Sequence, residues 1–255
     1  MEQQVSFPNQ SGEMLTGTLH TPDMATGRGV VFGHCFTCTR HTGVLREICS
    51  LLTEQNFMAL RFDFSGNGQS EGLFSDSTYS KQIAEMKTAA EFIADKGAGW
   101  IGLSGHSLGA SIALLAASRV HDIKAVCALS GRLSGLNAYR FLNETQRREL
   151  KETGRVFFSS RGRSLELTDG FFDDAGKYSL PEAIAALQKP LLVVHGDRDE
   201  IIPVKEAYHA KELKPEETTL AVIPEADHMF SLPEHRRQVA ELVVKWFKEQ
   251  AMARA

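Results

Sequence analysis

The stretch Gly105-His106-Ser107-Leu108-Gly109 decides the fold of this chain, because it places a serine between two glycines where two regular elements meet. The apolar run 100–103 before it is typical of a buried strand, and the apolar run 111–117 after it is typical of a helix. Glycines two residues before and two after the serine permit a strained turn without a Cβ clash. The pattern therefore predicts a strand, a sharp turn and a helix, with the Ser107 hydroxyl raised clear of a sheet as a nucleophile.

A serine hydroxyl is a poor nucleophile at neutral pH and needs a base and an acid, which lie downstream in this chain. The apolar run 190–194 predicts a buried strand, and the polar turn 195–203 follows it. We assign Asp199 as the acid because it directly precedes the apolar start of the next helix, whereas Asp197 is better placed to shape the turn. The alternative is that Asp199 only caps that helix.

His228 is the candidate general base. It follows the predicted strand 220–223 and precedes the final predicted helix. In this position it would take the Ser107 proton on attack and return it to the leaving group, while Asp199 holds the imidazole tautomer. Three further histidines lie at predicted strand ends and are expected to shape the site: His34, His106 and His195.

An acyl-transfer site also needs two backbone N–H groups aimed at the developing oxyanion. We predict that one belongs to Leu108, the residue after the nucleophile. The second is expected in the loop 34–39, which follows the predicted strand 29–33, and Phe36 is the candidate. The alternative is that Phe36 serves only in packing, which is compatible with its amide also binding the oxyanion.

Alternating strands and helices make the rest of the chain a single predicted α/β domain over residues 1–255, with a mostly parallel central sheet flanked by helices. The alternation stops between residues 131 and 180, where a cap over the site is expected. Within this insertion, 139–153 looks helical and Arg161-Gly162-Arg163 predicts a hairpin turn. Aromatic residues such as Phe171 and Phe172 are expected mainly to anchor the cap.

The charge and the hydrophobic pattern of the chain argue against two kinds of partner, nucleic acids and membranes. A net charge of −4 over 255 residues argues against a nucleic-acid partner, and the clusters Arg147-Arg148 and 161–163 are interpreted as solvated faces. No apolar stretch is long enough for a membrane span, and the N-terminus shows no signal region. We therefore expect a cytoplasmic protein with no membrane partner.

Two of the four cysteines form a C-x-x-C motif, Cys35 and Cys38. Such a motif can be half of a zinc site or a redox pair. A structural zinc ion normally needs four ligands, and the sequence offers no second motif of this kind. We interpret Cys35 and Cys38 as two small thiols packed beside the oxyanion loop, and expect no metal.

The segments 34–38, 61–72 and 105–109 resemble the α/β-hydrolase superfamily, and the resemblance covers nearly the whole chain. These segments are most similar to the hydrolase half of bacterial proteins fused to an OsmC-like domain. The His-x-Phe-Thr loop and the insertion also resemble small cinnamoyl and feruloyl esterases. The resemblance implies the α/β-hydrolase fold and carboxylic ester hydrolysis without a cofactor. It implies a triad of Ser107, Asp199 and His228 with oxyanion donors at Phe36 and Leu108.

The leading interpretation is a carboxylesterase for small acyl or aromatic esters, with a small-molecule ester as its partner. A thioesterase or another acyl hydrolase with the same triad is the alternative within enzymes. A non-catalytic ligand-binding protein on a hydrolase fold is the alternative from another class, since a fold does not fix a function. The sequence leaves a homodimer open.

Overall fold

The secondary structure follows the alternation predicted from the sequence. A computed structural model of the chain describes residues 1–24, 27–120, 122–136 and 138–253. The strands are β1 (Glu2–Pro8), β2 (Met14–His20), β3 (Arg28–Gly33), β4 (Met58–Phe62), β5 (Trp100–His106), β6 (Ile123–Leu129), β7 (Arg155–Ser160), β8 (Arg163–Thr168), β9 (Leu191–Gly196) and β10 (Thr218–Ile223). The helices are α1 (Gly43–Glu54), α2 (Tyr79–Asp95), α3 (Leu108–Ala117), α4 (Glu144–Thr153), α5 (Asp169–Ala175), α6 (Leu180–Ala185), α7 (Lys205–Leu213) and α8 (Pro233–Ala253).

One eight-stranded sheet has the order β1-β2-β4-β3-β5-β6-β9-β10. From β4 to β10 all neighbours pair in parallel, and β1 and β2 add an antiparallel hairpin at one edge. The predicted mostly parallel sheet is thus confirmed. Its parallel strands all end at the same edge, where open α/β sheets place their ligands.

Helices cover both faces of this sheet, which explains why its central strands β3, β5, β6 and β9 are buried along nearly their whole length instead of alternating with exposed residues. Along β3, Val31 packs on one face with Met86 of α2, while Val30 and Phe32 pack on the other. The second face is completed by α1 and α8, whose Phe247 is fully buried. Because the strands are held by packing on both faces, the positions of their carboxyl ends are fixed. The loops that follow them are positioned accordingly.

The segment between β6 and β9 departs from the alternation. Its strands β7 and β8 form a separate antiparallel hairpin that turns at Arg161 and Gly162, as the sequence predicts. The helix predicted over 139–153 is shorter in the structure, because α4 begins only at Glu144. Asn143 starts it with a capping box, in which its side chain accepts from the Gln146 amide at 2.9 Å and its own amide donates to the Gln146 side chain.

None of the helices in the described ranges is both long and apolar enough to cross a membrane.

Candidate active site

Ser107 lies at a strained turn between β5 and α3, with φ 57° and ψ −114°. The two flanking glycines leave no room for a side chain. A Cβ atom on Gly109 would lie 2.2 Å from the carbonyl oxygen of Gly33, and one on Gly105 would lie 2.2 Å from the carbonyl group of Gly109. Strand, turn and helix therefore pack so closely that only glycine fits at these positions, which is the arrangement that the pentapeptide predicts.

Asp199 lies in the turn after β9 and bonds the His228 side chain. The Nδ1 atom of His228 lies 2.7 Å from Oδ2 of the Asp199 carboxylate, which can only accept, so Nδ1 is the donor. This tautomer leaves Nε2 of His228 as the basic nitrogen. The other carboxylate oxygen accepts from the amides of Ile201 and Ile202 at 2.9 and 2.7 Å. Asp199 thus stabilises the turn before α7 as well as orienting His228.

A second histidine, His195, stabilises the ionised form of the Asp199 carboxylate. The Nε2 atom of His195 lies 2.8 Å from the Ile202 carbonyl oxygen and 3.1 Å from Asp199 Oδ2. Burial opposes the charged carboxylate, but hydrogen bonds from His195, His228 and the Ile202 amide outweigh it and hold the pKa of Asp199 well below its usual value. Asp197 instead accepts from the Glu225 amide at 2.7 Å and shapes the turn, as predicted.

His106, the residue before the nucleophile, holds the backbone of His228. Its Nε2 atom lies 2.7 Å from the His228 carbonyl oxygen, to which it must donate. The two rings lie 4.9 Å apart between centroids. Burial of His106 lowers its pKa to about 3, so the ring remains neutral and keeps this tautomer in ordinary buffers.

Each of two elements carries one predicted oxyanion donor. Phe36 lies in the loop after β3, and Leu108 is the first residue of α3. His34 donates from Nδ1 to the Cys35 carbonyl oxygen at 2.7 Å and accepts from the Phe64 amide at Nε2, at 3.1 Å. Within the described part of the chain, the amides of Phe36 and Leu108 have no hydrogen-bond partner. Both residues line the same cavity as Ser107 and His228. Amides without an internal partner beside the nucleophile are what an oxyanion site requires.

The interpretation of Cys35 and Cys38 as two thiols is wrong, because the structure joins them in a disulfide. Their Cα atoms lie 5.2 Å apart, within the usual range for a disulfide. A turn in which the Cys38 amide donates to the Cys35 carbonyl oxygen brings them together. The disulfide encloses Phe36 and Thr37, so it restrains the loop that carries one predicted oxyanion donor.

The inserted hairpin contacts this same loop. Arg163 donates from Nη2 to the Thr37 carbonyl oxygen at 2.9 Å, and the hydroxyls of Thr37 and Ser160 are 2.8 Å apart. Arg161, at the turn of the hairpin, is exposed and lines the cavity. The interpretation of the 161–163 cluster as a solvated face is therefore incomplete, because Arg163 turns inward to a backbone carbonyl.

The cavity has a volume of about 580 Å³, within the usual range for small-molecule sites, and is mainly apolar. The Phe36 ring lies between Phe158 and Phe171, with centroids 5.9 and 5.4 Å away. Phe171 also stacks on Tyr79 of α2, at 5.1 Å. The insertion's aromatic residues thus both anchor it, as predicted, and form the wall of the cavity.

Reasoning from the sequence did not predict that two arginines, Arg132 and Arg163, contact the cavity or its loops. Arg163 gave no signal because its partner is a backbone carbonyl. Arg132 follows β6 and lines the cavity, but a single arginine in a predicted loop is not distinctive. No group of three or more histidine, cysteine or acidic side chains is arranged to hold a metal ion among the residues that the structure describes.

The strand order and the turn at Ser107 define an α/β-hydrolase fold. With the pair Asp199 and His228, the site is of the hydrolase type. The family described as serine aminopeptidase, S33 (Hydrolase_4) has a model that matches residues 30–178, more than half of the chain. The chain belongs to this family. A search of curated proteins found no match.

Solved structures are similar in fold over nearly the whole chain. Est1E from Butyrivibrio proteoclasticus with ferulic acid bound is 24% identical with a TM-score of 0.82, covering 97% of this chain and 99% of that one. The esterase domain of a Rhodothermus marinus protein is 24% identical with a TM-score of 0.75, covering 96% and 97%. Mouse α/β hydrolase domain-containing protein 10 is 18% identical with a TM-score of 0.79, covering 97% and 99%.

Proposed function

We propose that the protein is a serine carboxylic ester hydrolase that acts on small acyl or aromatic esters through an acyl-enzyme. The observation that carries the proposal is the 2.7 Å hydrogen bond between Asp199 and His228, beside a cavity that His228 shares with Ser107. The bond fixes the tautomer in which Nε2 of His228 can accept a proton. A serine with a base of fixed tautomer is the arrangement that activates a hydroxyl.

In the proposed reaction, the Ser107 Oγ attacks the ester carbonyl carbon while His228 Nε2 takes its proton. The carbonyl oxygen becomes an oxyanion that accepts from the amides of Phe36 and Leu108. Collapse breaks the bond to the alcohol oxygen, which receives the proton from His228. Water then attacks the acyl-enzyme, again with His228 as base, and releases the acid and the Ser107 hydroxyl.

Asp199 acts in this scheme as a fixed negative charge. Its lowered pKa keeps it ionised, so it stabilises the imidazolium of His228 without taking the proton itself. The neutral ring of His106 supports the same arrangement, because it bonds the His228 backbone and does not compete for protons near pH 7.

Esters are favoured over peptides with a free N-terminus, although the family description names an aminopeptidase. An enzyme of that type must bind an α-ammonium group, and carboxylates are its natural partners. None of the described residues that line the cavity is acidic. The lining favours a neutral or anionic substrate with apolar parts.

The test is hydrolysis of p-nitrophenyl esters from acetate to palmitate, with methyl ferulate added because the similar Est1E structure holds ferulic acid. Wild type is compared with Ser107→Ala and with Ser159→Ala, a matched serine of the same cavity. We expect turnover that Ser107→Ala abolishes and Ser159→Ala retains.

Full turnover in Ser107→Ala would overturn the proposal. An absence of ester turnover, together with Ser107-dependent hydrolysis of an acyl thioester, would assign the same residues to a thioesterase. Failure of a fluorophosphonate probe to label Ser107 in the folded protein would favour a binding protein.

A further inference from the structure

Tyr79, the first residue of α2, is buried in the wall of the cavity, but its hydroxyl has no partner inside the protein. The residue is only 5% exposed and lines the cavity. Among the residues that the structure describes, none forms a hydrogen bond with this hydroxyl. Buried tyrosine hydroxyls usually have such a partner. A hydroxyl without one, in a cavity wall, therefore points to a group of a ligand.

The Tyr79 hydroxyl oxygen keeps some accessible surface, although the residue as a whole is buried. The hydroxyl of Ser77, two residues earlier, is the contrasting case, because it lacks a partner among the described residues and is fully enclosed. A molecule cannot reach Ser77 Oγ without a rearrangement of the protein. Accessibility thus distinguishes the Tyr79 hydroxyl, which a ligand can meet, from a polar atom that packing leaves unpaired.

Packing fixes the Tyr79 ring relative to the loop that carries one candidate oxyanion donor. The ring stacks on Phe171 at 5.1 Å between centroids, and Phe171 lies 5.4 Å from the ring of Phe36. The next residue, Ser80, donates to the Asp174 carboxylate from its amide at 2.6 Å and from its hydroxyl at 2.7 Å, which holds the start of α2. A polar group held in this way is preorganised for binding.

Most other polar side chains of the cavity wall already have partners within the protein. Four of them form side-chain hydrogen bonds there: Thr37, Ser111, Gln146 and Ser160. The two unpartnered nitrogens of Arg132 are enclosed, and Ser159 and Arg161 are exposed. Apart from the candidate catalytic groups, Tyr79 is therefore the buried hydroxyl that the described part of the wall leaves for a ligand. A few placed polar groups in an apolar cavity are what orient a small molecule.

The group that fits Tyr79 is uncharged. Burial raises the pKa of Tyr79, so its hydroxyl stays protonated in ordinary buffers and can both donate and accept. The surrounding cavity is mainly apolar, and an ionised group would lose its hydration there. A hydroxyl or another uncharged oxygen at the end of an apolar chain matches both properties.

The order of the proposed reaction places this oxygen on the acyl part of the substrate. The alcohol leaves while the acyl group is still bonded to Ser107, so an alcohol bound in the buried part of the cavity would have to pass the acyl group. Tyr79 belongs to the buried part, whereas Phe141 and Ile201 line the cavity with exposed fractions of 62% and 57%. The buried part therefore suits the acyl group, and the exposed part suits the alcohol.

We propose that the Tyr79 hydroxyl faces the cavity and binds an uncharged oxygen of the acyl chain, so that the preferred substrates are esters of hydroxylated acids. This inference rests on the proposed ester hydrolase activity. It adds a specificity-determining residue to the site, separate from the groups that break the ester bond. A site that hydrogen-bonds a substrate hydroxyl rejects the analogue that lacks it, because the group of the protein is then left unpaired.

The experiment compares pairs of p-nitrophenyl esters that differ in one terminal group, an ω-hydroxy acyl chain and the chain with a methyl group in place of the hydroxyl. The series runs from hexanoyl to decanoyl chains, because the separation of Ser107 and Tyr79 sets the length that fits. At that length, the hydroxyl-to-methyl ratio of kcat/KM should be about tenfold higher in wild type than in Tyr79→Phe, the scale of one hydrogen bond to a buried group.

Tyr178→Phe is the matched control. The hydroxyl of Tyr178 lies 2.6 Å from that of Ser80, and Tyr178 is outside the described lining of the cavity. This variant should keep the hydroxyl-to-methyl ratio of wild type. Tyr79→Phe removes only an oxygen atom that has no partner among the described residues, so it should fold with an unchanged Tm.

A binding measurement tests the same contact without turnover. Ser107→Ala is titrated with the methyl esters of the same acids and followed by ligand-observed NMR. The hydroxylated ester of the fitting length should bind more tightly than its methyl-terminated partner, and adding Tyr79→Phe should remove the difference.

Equal ratios in wild type and Tyr79→Phe at every chain length would overturn the role of Tyr79, as would an equal change in Tyr178→Phe. A lower Tm of Tyr79→Phe would show that the hydroxyl serves the fold. Failure of the ester hydrolase proposal is a different result, because it would appear as no Ser107-dependent turnover of any ester. The binding difference in Ser107→Ala would still decide the role of Tyr79.

Discussion

Arg163 of the inserted hairpin donates a 2.9 Å hydrogen bond to the carbonyl oxygen of Thr37, the residue after the candidate oxyanion donor Phe36. The hairpin is thus joined to the backbone of the loop that carries this donor. Preorganised N–H groups stabilise an oxyanion only if they are fixed before the reaction. We therefore expect the insertion to affect turnover as well as substrate choice.

Replacing Arg163 with alanine should lower kcat by about tenfold, because the loss of one hydrogen bond from a charged donor frees the Thr37 carbonyl. Arg155→Ala is the matched control, since Arg155 lies on the same hairpin and pairs with Glu166 at the surface. Steady-state kinetics on p-nitrophenyl butyrate measures both variants. An equal effect of the two substitutions would show that only hairpin stability matters.

Replacing Asp199 with asparagine should lower kcat by roughly 10³-fold to 10⁴-fold with little change in KM. The asparagine side chain keeps the shape but removes the charge that His195 and His228 share. It also allows the wrong tautomer of His228. The check is kcat and KM for the best ester of the panel, with Asp197→Asn as the control. A variant that retains a tenth of the wild-type kcat would contradict the role of Asp199.

Replacing Gly109 with alanine should destabilise the fold by more than about 4 kcal/mol, the range of severe core clashes. The new Cβ would lie 2.2 Å from the Gly33 carbonyl oxygen, and both atoms belong to backbone that cannot move freely. Gly99→Ala is the control, because its nearest neighbour would be 3.9 Å away. Urea unfolding monitored by circular dichroism compares the three proteins, and similar midpoints would refute the close packing.

Acid should destabilise the protein through His106. Its folded pKa of about 3 lies below its ordinary value of 6.5, so the unfolded chain binds the extra proton first as pH falls. The contribution is complete above about pH 6.5 and is lost progressively toward pH 3, with a slope of up to about 1.4 kcal/mol per pH unit. His106→Asn should show a shallower fall of the free energy of unfolding over that window.

The His106 comparison uses urea unfolding of both proteins at steps between pH 7 and pH 4. His20 also has a pKa lowered by burial, to about 4, and is present in both proteins. Any shared acid sensitivity therefore cancels in the difference. Parallel curves for wild type and His106→Asn would exclude His106 as a source of the pH dependence.

Chain order made the fold predictable, and with it the contact between Asp199 and His228. The structure brings together Asp199 and His228, although 29 positions separate them, because both follow parallel strands that end at one edge of the sheet. The disulfide between Cys35 and Cys38 was not predicted, since a C-x-x-C spacing fits thiols, a metal site or a disulfide equally well. The start of α4 was placed too early, although the Asn143 and Gln146 pair is a recognisable capping box.

The contacts of Arg132 and Arg163 are tertiary and leave no local signal in the sequence. Arg163 bonds a backbone carbonyl 126 positions away, and a carbonyl is present at every residue. Two nitrogens of Arg132 lack a hydrogen-bond partner among the described residues, which is a property of the packed structure. Sequence patterns report periodicity and spacing, and neither of these contacts has one.

The insertion between β6 and β9 could be exchanged by engineering without changing the three candidate catalytic residues. Much of the cavity wall, including Phe158 and Phe171, belongs to this one contiguous stretch, while Ser107, Asp199 and His228 lie outside it. The stretch is therefore a natural unit for chimeras, in which a relative's insertion would bring its own substrate range. Such a graft must retain a donor for the Thr37 carbonyl, or the imported selectivity would come with a slower enzyme.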